Sequence, residues 1–223
     1  MKTNDILKSD CCDRVAAALL PPRLFASIAY YTLMYKYPIV SIDTEAKYIK
    51  NNKTTHRFSI ADTRGPLNLT IPVSKPSGAT KWKEVEISNH GRWYETIPIA
   101  LESAYGRTPF FEFYIERILP LFDLRKESII ELCIRADQIV RNIINFNVDI
   151  KEKSSDIIYN DFTNIDIDSI FIIKPYWQVR KEQLGFIPNL SILDLIFNLG
   201  PEAELYIENL STLIVENNSI NNS

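Results

Sequence analysis

Hydrophobic and polar positions alternate along residues 56–73 and change to a helical period from about residue 92. His56, Phe58 and Ile60 share one face of an extended segment, and a second alternating run ends at residue 73. The residues between the two runs, 61–66, are rich in turn formers. The pattern therefore predicts a β-hairpin.

Further strands are predicted outside the hairpin, where short β-branched or apolar runs occur. They cover residues 39–43 and 85–87, together with a pair at 157–159 and 169–173. Pro72 has no N–H to donate, which indicates that the second hairpin strand is an edge or leaves the sheet there.

Helices are predicted wherever the apolar period becomes 3.6 residues. Three of them cover residues 27–37, 110–119 and 129–143, and Thr108 is the predicted N-cap of the second. A further helix has Pro98 in its first turn and stops at Gly106. The last two helices begin at Ser191 and Pro201. Ser191 with Asp194 resembles a capping box, and Gly200 resembles a C-cap. The order predicts an α/β or α+β fold: a mixed sheet with a small antiparallel hairpin region, followed by several packed helices.

The 223 residues are enough for one well-buried core. We expect residues 1–19 to form a weakly ordered lead-in and residues 20–211 to form a single domain. The Asn- and Ser-rich residues 212–223 are expected to fray.

Charge and apolar content narrow the classes of partner. The net charge of -3 provides no broad basic surface, so nucleic acid is a disfavoured partner. Apolar runs fall well short of the roughly 20 residues of a bilayer span, and the charged start does not match a secretion signal. We therefore expect a cytoplasmic protein. The pattern leaves the oligomeric state open.

Metal and cofactor motifs do not stand out in the sequence. The three cysteines, Cys11, Cys12 and Cys133, have no metal-ligand spacing, and there are two histidines. We predict no metal site, and no nucleotide-binding fingerprint identifies a cofactor.

A carboxylate followed by cations forms the first candidate site. Asp43 ends a predicted strand, where open α/β sheets often place ligand contacts. Lys50 and Arg57 follow and could hold a phosphate, and His56 could act as a general base. The alternative is a solvated lysine loop in which His56 is an ordinary sheet residue.

Three more residues are candidates in other segments. Glu112 could be an acid or base, and Tyr105 lies beside the turn at Gly106, although packing and the helix dipole explain both equally well. Gln178 follows Tyr176 and Trp177, and aromatic rings beside an amide suit a sugar ring.

Several stretches in order resemble the WbqC-like family. They are residues 65–73 with their Ile-Pro-Val ending, Trp93 with residues 100–112, residues 176–179, and residues 185–195 closing with Gly200-Pro201. The chain departs from the family pattern at Ala26-Ser27, where prolines are expected, and at His56-Arg57, where the family has Asn-Arg. A His-Trp pair near Ile97-Pro98 is missing.

The resemblance implies a role in bacterial surface-polysaccharide synthesis of the O-antigen type. Members look like cytoplasmic transferases that place an acyl or aminoacyl group on an activated sugar, with a phosphate-bearing sugar or acyl donor as partner. The departures from the pattern favour the alternative of a non-catalytic sugar-binding or scaffold protein in a polysaccharide synthesis complex.

Overall fold

The computed structural model describes residues 17–74, 78, 80–123 and 128–212, which form a mixed α/β fold. The strands in these ranges are β1 (Ala17–Leu20), β2 (Ile39–Ile42), β3 (Arg57–Asp62), β4 (Gly65–Thr70), β5 (Val73–Ser74), β6 (Glu86–Ile87), β7 (Asp149–Ile150) and β8 (Tyr159–Asp161). The helices are α1 (Ile28–Tyr35), α2 (Trp93–Tyr105), α3 (Phe111–Ile118), α4 (Ile129–Ile143), α5 (Lys181–Leu184), α6 (Ile192–Leu199) and α7 (Glu202–Ser211). Short 3₁₀ turns occupy Trp82–Glu84, Leu119–Asp123 and Ile167–Ser169.

A parallel sheet in the order β7-β2-β1-β8 forms the centre of the fold. All four residues of β1 are buried, as expected for a strand covered on both faces of a parallel sheet. The predicted lead-in to residue 19 thus overlaps β1, which begins at Ala17. The rest of that lead-in, residues 1–16, lies outside the described residues, as does the predicted tail from residue 213 onward.

The strand order places a switch point between β1 and β8. From β1 the chain passes through α1 to β2 on one side, whereas β8 joins the opposite edge of β1. The segments that follow β1 and β8 therefore leave the carboxyl edge of the sheet next to each other. Open α/β sheets bind ligands in the crevice that forms at such a point.

The predicted hairpin is confirmed as β3 and β4, which pair antiparallel from Arg57↔Thr70 to Asp62↔Gly65. Phe58 and Ile60 are buried on the inner face, as their alternation indicates. The chain leaves this hairpin after Thr70, and β5 then pairs antiparallel with β6.

Two predicted helix starts are wrong. α2 already begins at Trp93, so Pro98 lies inside the helix rather than in its first turn. Trp93 and Ile97 are buried, and their packing outweighs the hydrogen bond that proline removes. Thr108 does not cap α3, because its hydroxyl donates to the Tyr105 carbonyl at 2.7 Å, and Phe110 occupies the N-cap position.

Two further details differ from the sequence prediction. No strand forms at 169–173, where a 3₁₀ turn at Ile167–Ser169 precedes irregular chain. Ser191 does cap α6, but Asp194 turns its carboxylate into the core instead of reaching back to complete a capping box. Gly200 ends α6 with a φ of 56°, as predicted for a C-cap.

The hydrophobic core is continuous from the sheet to the helices. α1 is buried along nearly its whole length, and it packs against α6, α7 and the 3₁₀ turn at Ile167–Ser169. Among the described helices, none combines the length and apolar character needed to cross a bilayer.

Candidate functional site

A cavity of about 370 Å³ opens at the carboxyl edge of β1, and we refer to it as the main cavity. Its volume lies within the range of small-molecule sites, roughly 300–1,000 Å³. Three cationic side chains, Arg23, Lys53 and Arg57, line it together with one carboxylate, Asp168. Arg23 follows β1 and Asp168 follows β8, so the main cavity occupies the switch point of the sheet.

Arg23 and Asp168 form an ion pair across this crevice, with 3.1 Å between Nη1 and Oδ1. The Ser27 hydroxyl donates to the same Oδ1 at 2.5 Å. The Arg23 side chain is only 10% exposed, and its Nε has no hydrogen-bond acceptor within the described part of the chain. The guanidinium group also lies 5.7 Å from the centre of the Tyr30 ring. The ion pair and the Tyr30 ring thus hold the cation in place, while the described residues provide no acceptor for its buried Nε.

The first turn of α1 faces the main cavity, but protein groups already satisfy its N–H groups. Ser27 accepts from the Tyr30 N–H, the Asn189 Oδ1 accepts from Ala29, and the Leu190 carbonyl accepts from Ile28. The helix dipole still favours negative charge at this end. Direct contacts to an anion must nevertheless come from side chains.

Backbone strain is concentrated at the main cavity. Phe25 and Asn189 both line it, and their φ angles are 41° and 52°. A bulky residue such as phenylalanine rarely adopts a positive φ. The Phe25 ring packs edge-on against Phe58 at 5.1 Å, and Asn189 donates to the Asp168 carbonyl at 3.3 Å. Such strain persists where surrounding contacts enforce it, and it is frequent at functional sites.

Arg57 and Lys53 supply cationic groups that remain available for a ligand. The Arg57 Nε donates to the Thr70 hydroxyl at 2.9 Å, which orients the guanidinium group from β3. Over the ranges that the structure describes, neither the Arg57 Nη atoms nor the Lys53 ammonium has a hydrogen bond or an ion pair. Arg57 is half-buried and Lys53 is exposed, so both are accessible from solvent.

Among the seven residues predicted for the site, Arg57 alone lines the main cavity. Lys50 is exposed in the preceding loop. Asp43 follows β2, where its Oδ2 lies 3.4 Å from the Lys153 ammonium. Glu112 is exposed in the first turn of α3.

His56 directly precedes β3, where it is buried and does not line the main cavity. Its Nδ1 lies 2.6 Å from the Ile71 carbonyl, and its ring centre lies 5.9 Å from that of Trp82. Burial lowers the pKa of His56, because the charged imidazolium form would lose its hydration.

Tyr105 and Gln178 meet around a buried carboxylate, Asp194. Tyr176 and Gln178 both donate to the Asp194 Oδ2, and the second of these bonds is 2.9 Å long. The Tyr105 hydroxyl accepts from the Ala61 N–H at 3.1 Å. Burial is the largest cause of the raised pKa of Asp194 and of the raised pKa of Tyr105. This polar cluster belongs to the core and does not line the main cavity.

Arg23, Asp168 and Asn189 are not among the site residues predicted from the sequence. A usable signal existed for Arg23, since it follows an apolar run and the Pro21-Pro22 step. Recognising that run as a buried parallel strand would have placed Arg23 at a sheet edge. Asp168 and Asn189 have no comparable local signal, because only the tertiary fold brings them to Arg23.

A second cavity of about 480 Å³ lies beside the end of α2. One of its two arginines, Arg180, donates from Nη2 to the Ser103 carbonyl at 2.8 Å. A cation on the last carbonyls of a helix satisfies free acceptors and complements the dipole. We therefore assign Arg180 a structural role.

The fold and the main cavity together define an α/β protein with a cation-lined crevice at the switch point of a parallel sheet. The WbqC-like protein family matches residues 22–168, about two thirds of the chain. The chain belongs to this family. Arg23, Lys53, Arg57 and Asp168 all lie inside the matched region, whereas Asn189 lies beyond it. No curated protein and no solved structure matches the chain.

Proposed function

We propose that the main cavity binds a phosphate-bearing sugar or acyl donor, and that the protein transfers an acyl or aminoacyl group to an activated sugar. Bacterial surface-polysaccharide synthesis, of the O-antigen type, is the process in which we place this step. The observation that carries the proposal is the convergence of Arg23, Lys53 and Arg57 on one cavity at a sheet switch point. Guanidinium groups match the oxygen geometry of phosphate, which makes these side chains suited to such a ligand.

Asp168 is the group in the main cavity best placed to accept a proton. Its Oδ1 holds Arg23 and Ser27, while Oδ2 has no hydrogen-bond donor among the residues described. A carboxylate within hydrogen-bond reach of an acceptor hydroxyl or amine can act as a general base. Asp43, His56 and Glu112 remain predictions for this role, and the main cavity adds no support for them.

Ligand-induced thermal stabilisation of wild type and Arg57→Gln tests the proposal. A ligand that binds only the native state raises the melting temperature, so nucleotide-sugars, acyl- and free coenzyme A, and sugar phosphates form the panel. We expect at least one of these ligands to stabilise the wild type and to have much less effect on Arg57→Gln.

Arg64→Gln is the matched control, because Arg64 is exposed in the turn of the same hairpin and does not line the main cavity. It should keep the full ligand response. Equal responses in Arg57→Gln and wild type would contradict the proposed site.

A second candidate is a non-catalytic sugar-binding or scaffold protein. The observation that favours it is the ion pair with Arg23, which already engages the carboxylate of the main cavity. His56, the predicted base, is also turned toward Ile71. Binding of a sugar phosphate without turnover of any acyl or aminoacyl donor would select this candidate over the transferase.

A further inference from the structure

The charges of the main cavity do not balance. Arg23, Lys53 and Arg57 contribute three formal positive charges and Asp168 contributes one negative charge, while the other lining side chains are neutral. Among the described residues that line the main cavity, two positive charges are therefore left without a counter-charge. A phosphate monoester carries about −1.5 to −2 at pH 7, whereas a carboxylate or a phosphodiester carries one negative charge.

The donors of the main cavity also have unused capacity. The Arg23 Nε is buried and has no acceptor in the described ranges, although a buried donor without a partner is costly. The Arg57 Nη atoms are likewise unengaged, while the bond from its Nε to Thr70 fixes their plane. Two guanidinium groups and one ammonium can surround the three terminal oxygens of a monoester.

The remaining wall suits a small hydroxylated group. The volume of about 370 Å³ is near the lower end of the range for ligand sites. Ser59 and Asn68 contribute neutral polar groups, and Asp168 contributes a carboxylate oxygen. A single sugar ring with a phosphate fits this volume and chemistry better than a whole nucleotide-sugar or coenzyme A.

We infer that the main cavity selects the dianionic form of a small sugar phosphate monoester. Arg23, Lys53 and Arg57 hold the phosphate, and Asp168 accepts from a hydroxyl or ammonium group of the sugar. This inference rests on the proposed function and deepens it, because it names the ligand class and its charge state.

Isothermal titration calorimetry at pH 7.5 and 5.0 tests the charge state. The probes are glucose 1-phosphate, its methyl phosphodiester and sulfate. The second pKa of a phosphate monoester is about 6, so the dianion fraction and the affinity should fall about tenfold between the two pH values. The phosphodiester should bind at least about tenfold more weakly than the monoester at pH 7.5, since it lacks the second charge.

Sulfate stays dianionic over this range and therefore reports any change in the protein itself. Within the described residues, Arg23, Lys53, Arg57 and Asp168 are the charged groups that line the main cavity, and the buried His56 does not line it. We expect the affinity for sulfate to be the same at both pH values.

Variants test which side chains bind the phosphate. Arg57→Gln and Arg23→Gln should each reduce glucose 1-phosphate affinity at pH 7.5 at least about tenfold, because each removes a charge-assisted contact. Arg64→Gln should bind like the wild type. If Arg23→Gln fails to fold, Arg57→Gln alone tests the phosphate contacts. Arg57 is half-buried at the cavity wall, so we expect this variant to fold.

Three results would overturn the inference. The monoester affinity could be independent of pH, the phosphodiester could bind as tightly as the monoester, or sulfate binding could fall in parallel with the monoester. In each case a phosphate-bearing ligand still binds and the proposed function survives. Binding by none of the proposed ligands, large or small, would overturn both.

Discussion

Asp194 is a buried carboxylate whose neighbours decide its role. It is 1% exposed, and Tyr176 and Gln178 donate to its Oδ2. The Gln178 Oε1 in turn accepts from the Ile187 N–H at 3.0 Å. Gln178 thus ties the segment after β8 to α6, and its amide is fully used inside the core.

We expect Gln178→Ala to lower the free energy of unfolding by about 1–3 kcal/mol, because it leaves Asp194 short of a donor. Urea denaturation measures this, with Gln138→Ala on the exposed face of α4 as the control, expected within about 0.5 kcal/mol of wild type. Ligand affinity of the main cavity should not change in Gln178→Ala. A selective loss of affinity at unchanged stability would instead support Gln178 as a ligand contact.

Single-residue chemistry was predictable only where a local pattern exposed it. Arg57 stands at the start of an alternating strand, so both its charge and its position at the start of β3 follow from the sequence. Asp168 lies in an Ile-Asp alternation that is typical of a strand, yet a 3₁₀ turn forms there and brings the carboxylate to Arg23. Nothing local encodes that long-range ion pair.

At the scale of elements, the end of α6 depends on a close contact with Phe110. Gly200 has a φ of 56°, and a Cβ at this position would lie 2.5 Å from the Phe110 ring. Gly185 ends α5 with a φ of 71°, but its hypothetical Cβ would meet nothing within 4 Å. An alanine at Gly185 would therefore meet backbone strain alone, whereas an alanine at Gly200 would meet both backbone strain and steric overlap with Phe110.

We expect Gly185→Ala to cost about 1 kcal/mol of unfolding free energy through its positive φ alone. Gly200→Ala should cost a further 1–3 kcal/mol, roughly, because the Phe110 ring must also move. Thermal or urea unfolding of both variants measures the difference. Equal losses of unfolding free energy in the two variants would mean that the Phe110 ring moves aside without a free-energy cost.

Long or strongly periodic elements were predictable, and so was the short β-branched strand β2, whereas β1 was not. α4 and the β3-β4 hairpin follow from their 3.6-residue and two-residue periods. β1 has four consecutive small or apolar residues and no alternation, because both faces of a central parallel strand are buried. Such a run carries little signal of its own, and the α/β class stayed open for that reason.

At the scale of the whole molecule, the net charge and the charge of the main cavity have opposite signs. The chain carries a formal charge of -3, while the main cavity holds three cations against one carboxylate. Binding of an anion therefore depends on a local field, which salt screens over about 10 Å at 0.1 M and 3 Å at 1 M.

We expect the affinity for a sugar phosphate to fall when sodium chloride rises from 0.1 to 1 M. The fall in affinity should be smaller in Arg57→Gln, because this variant lacks one of the positive charges of the main cavity. In Arg64→Gln the fall should be the same as in the wild type. Calorimetric titration at several salt concentrations measures the slopes. A slope shared by all three proteins would mean that the cavity cations do not bind the ligand.

The pairing of β1 with β8 also affects the order in which the molecule can be assembled. Ala17 pairs with Tyr159, and the Arg23–Asp168 contact joins residues 145 positions apart. At about 5–20 residues per second, the ribosome needs on the order of ten seconds to deliver β8 after β1. During that time one edge of the central strand has no partner, which is a state prone to aggregation. The main cavity is therefore complete only after Asp168 and Asn189 have been made, so that any binding there reports that the chain through these residues has been synthesised and folded.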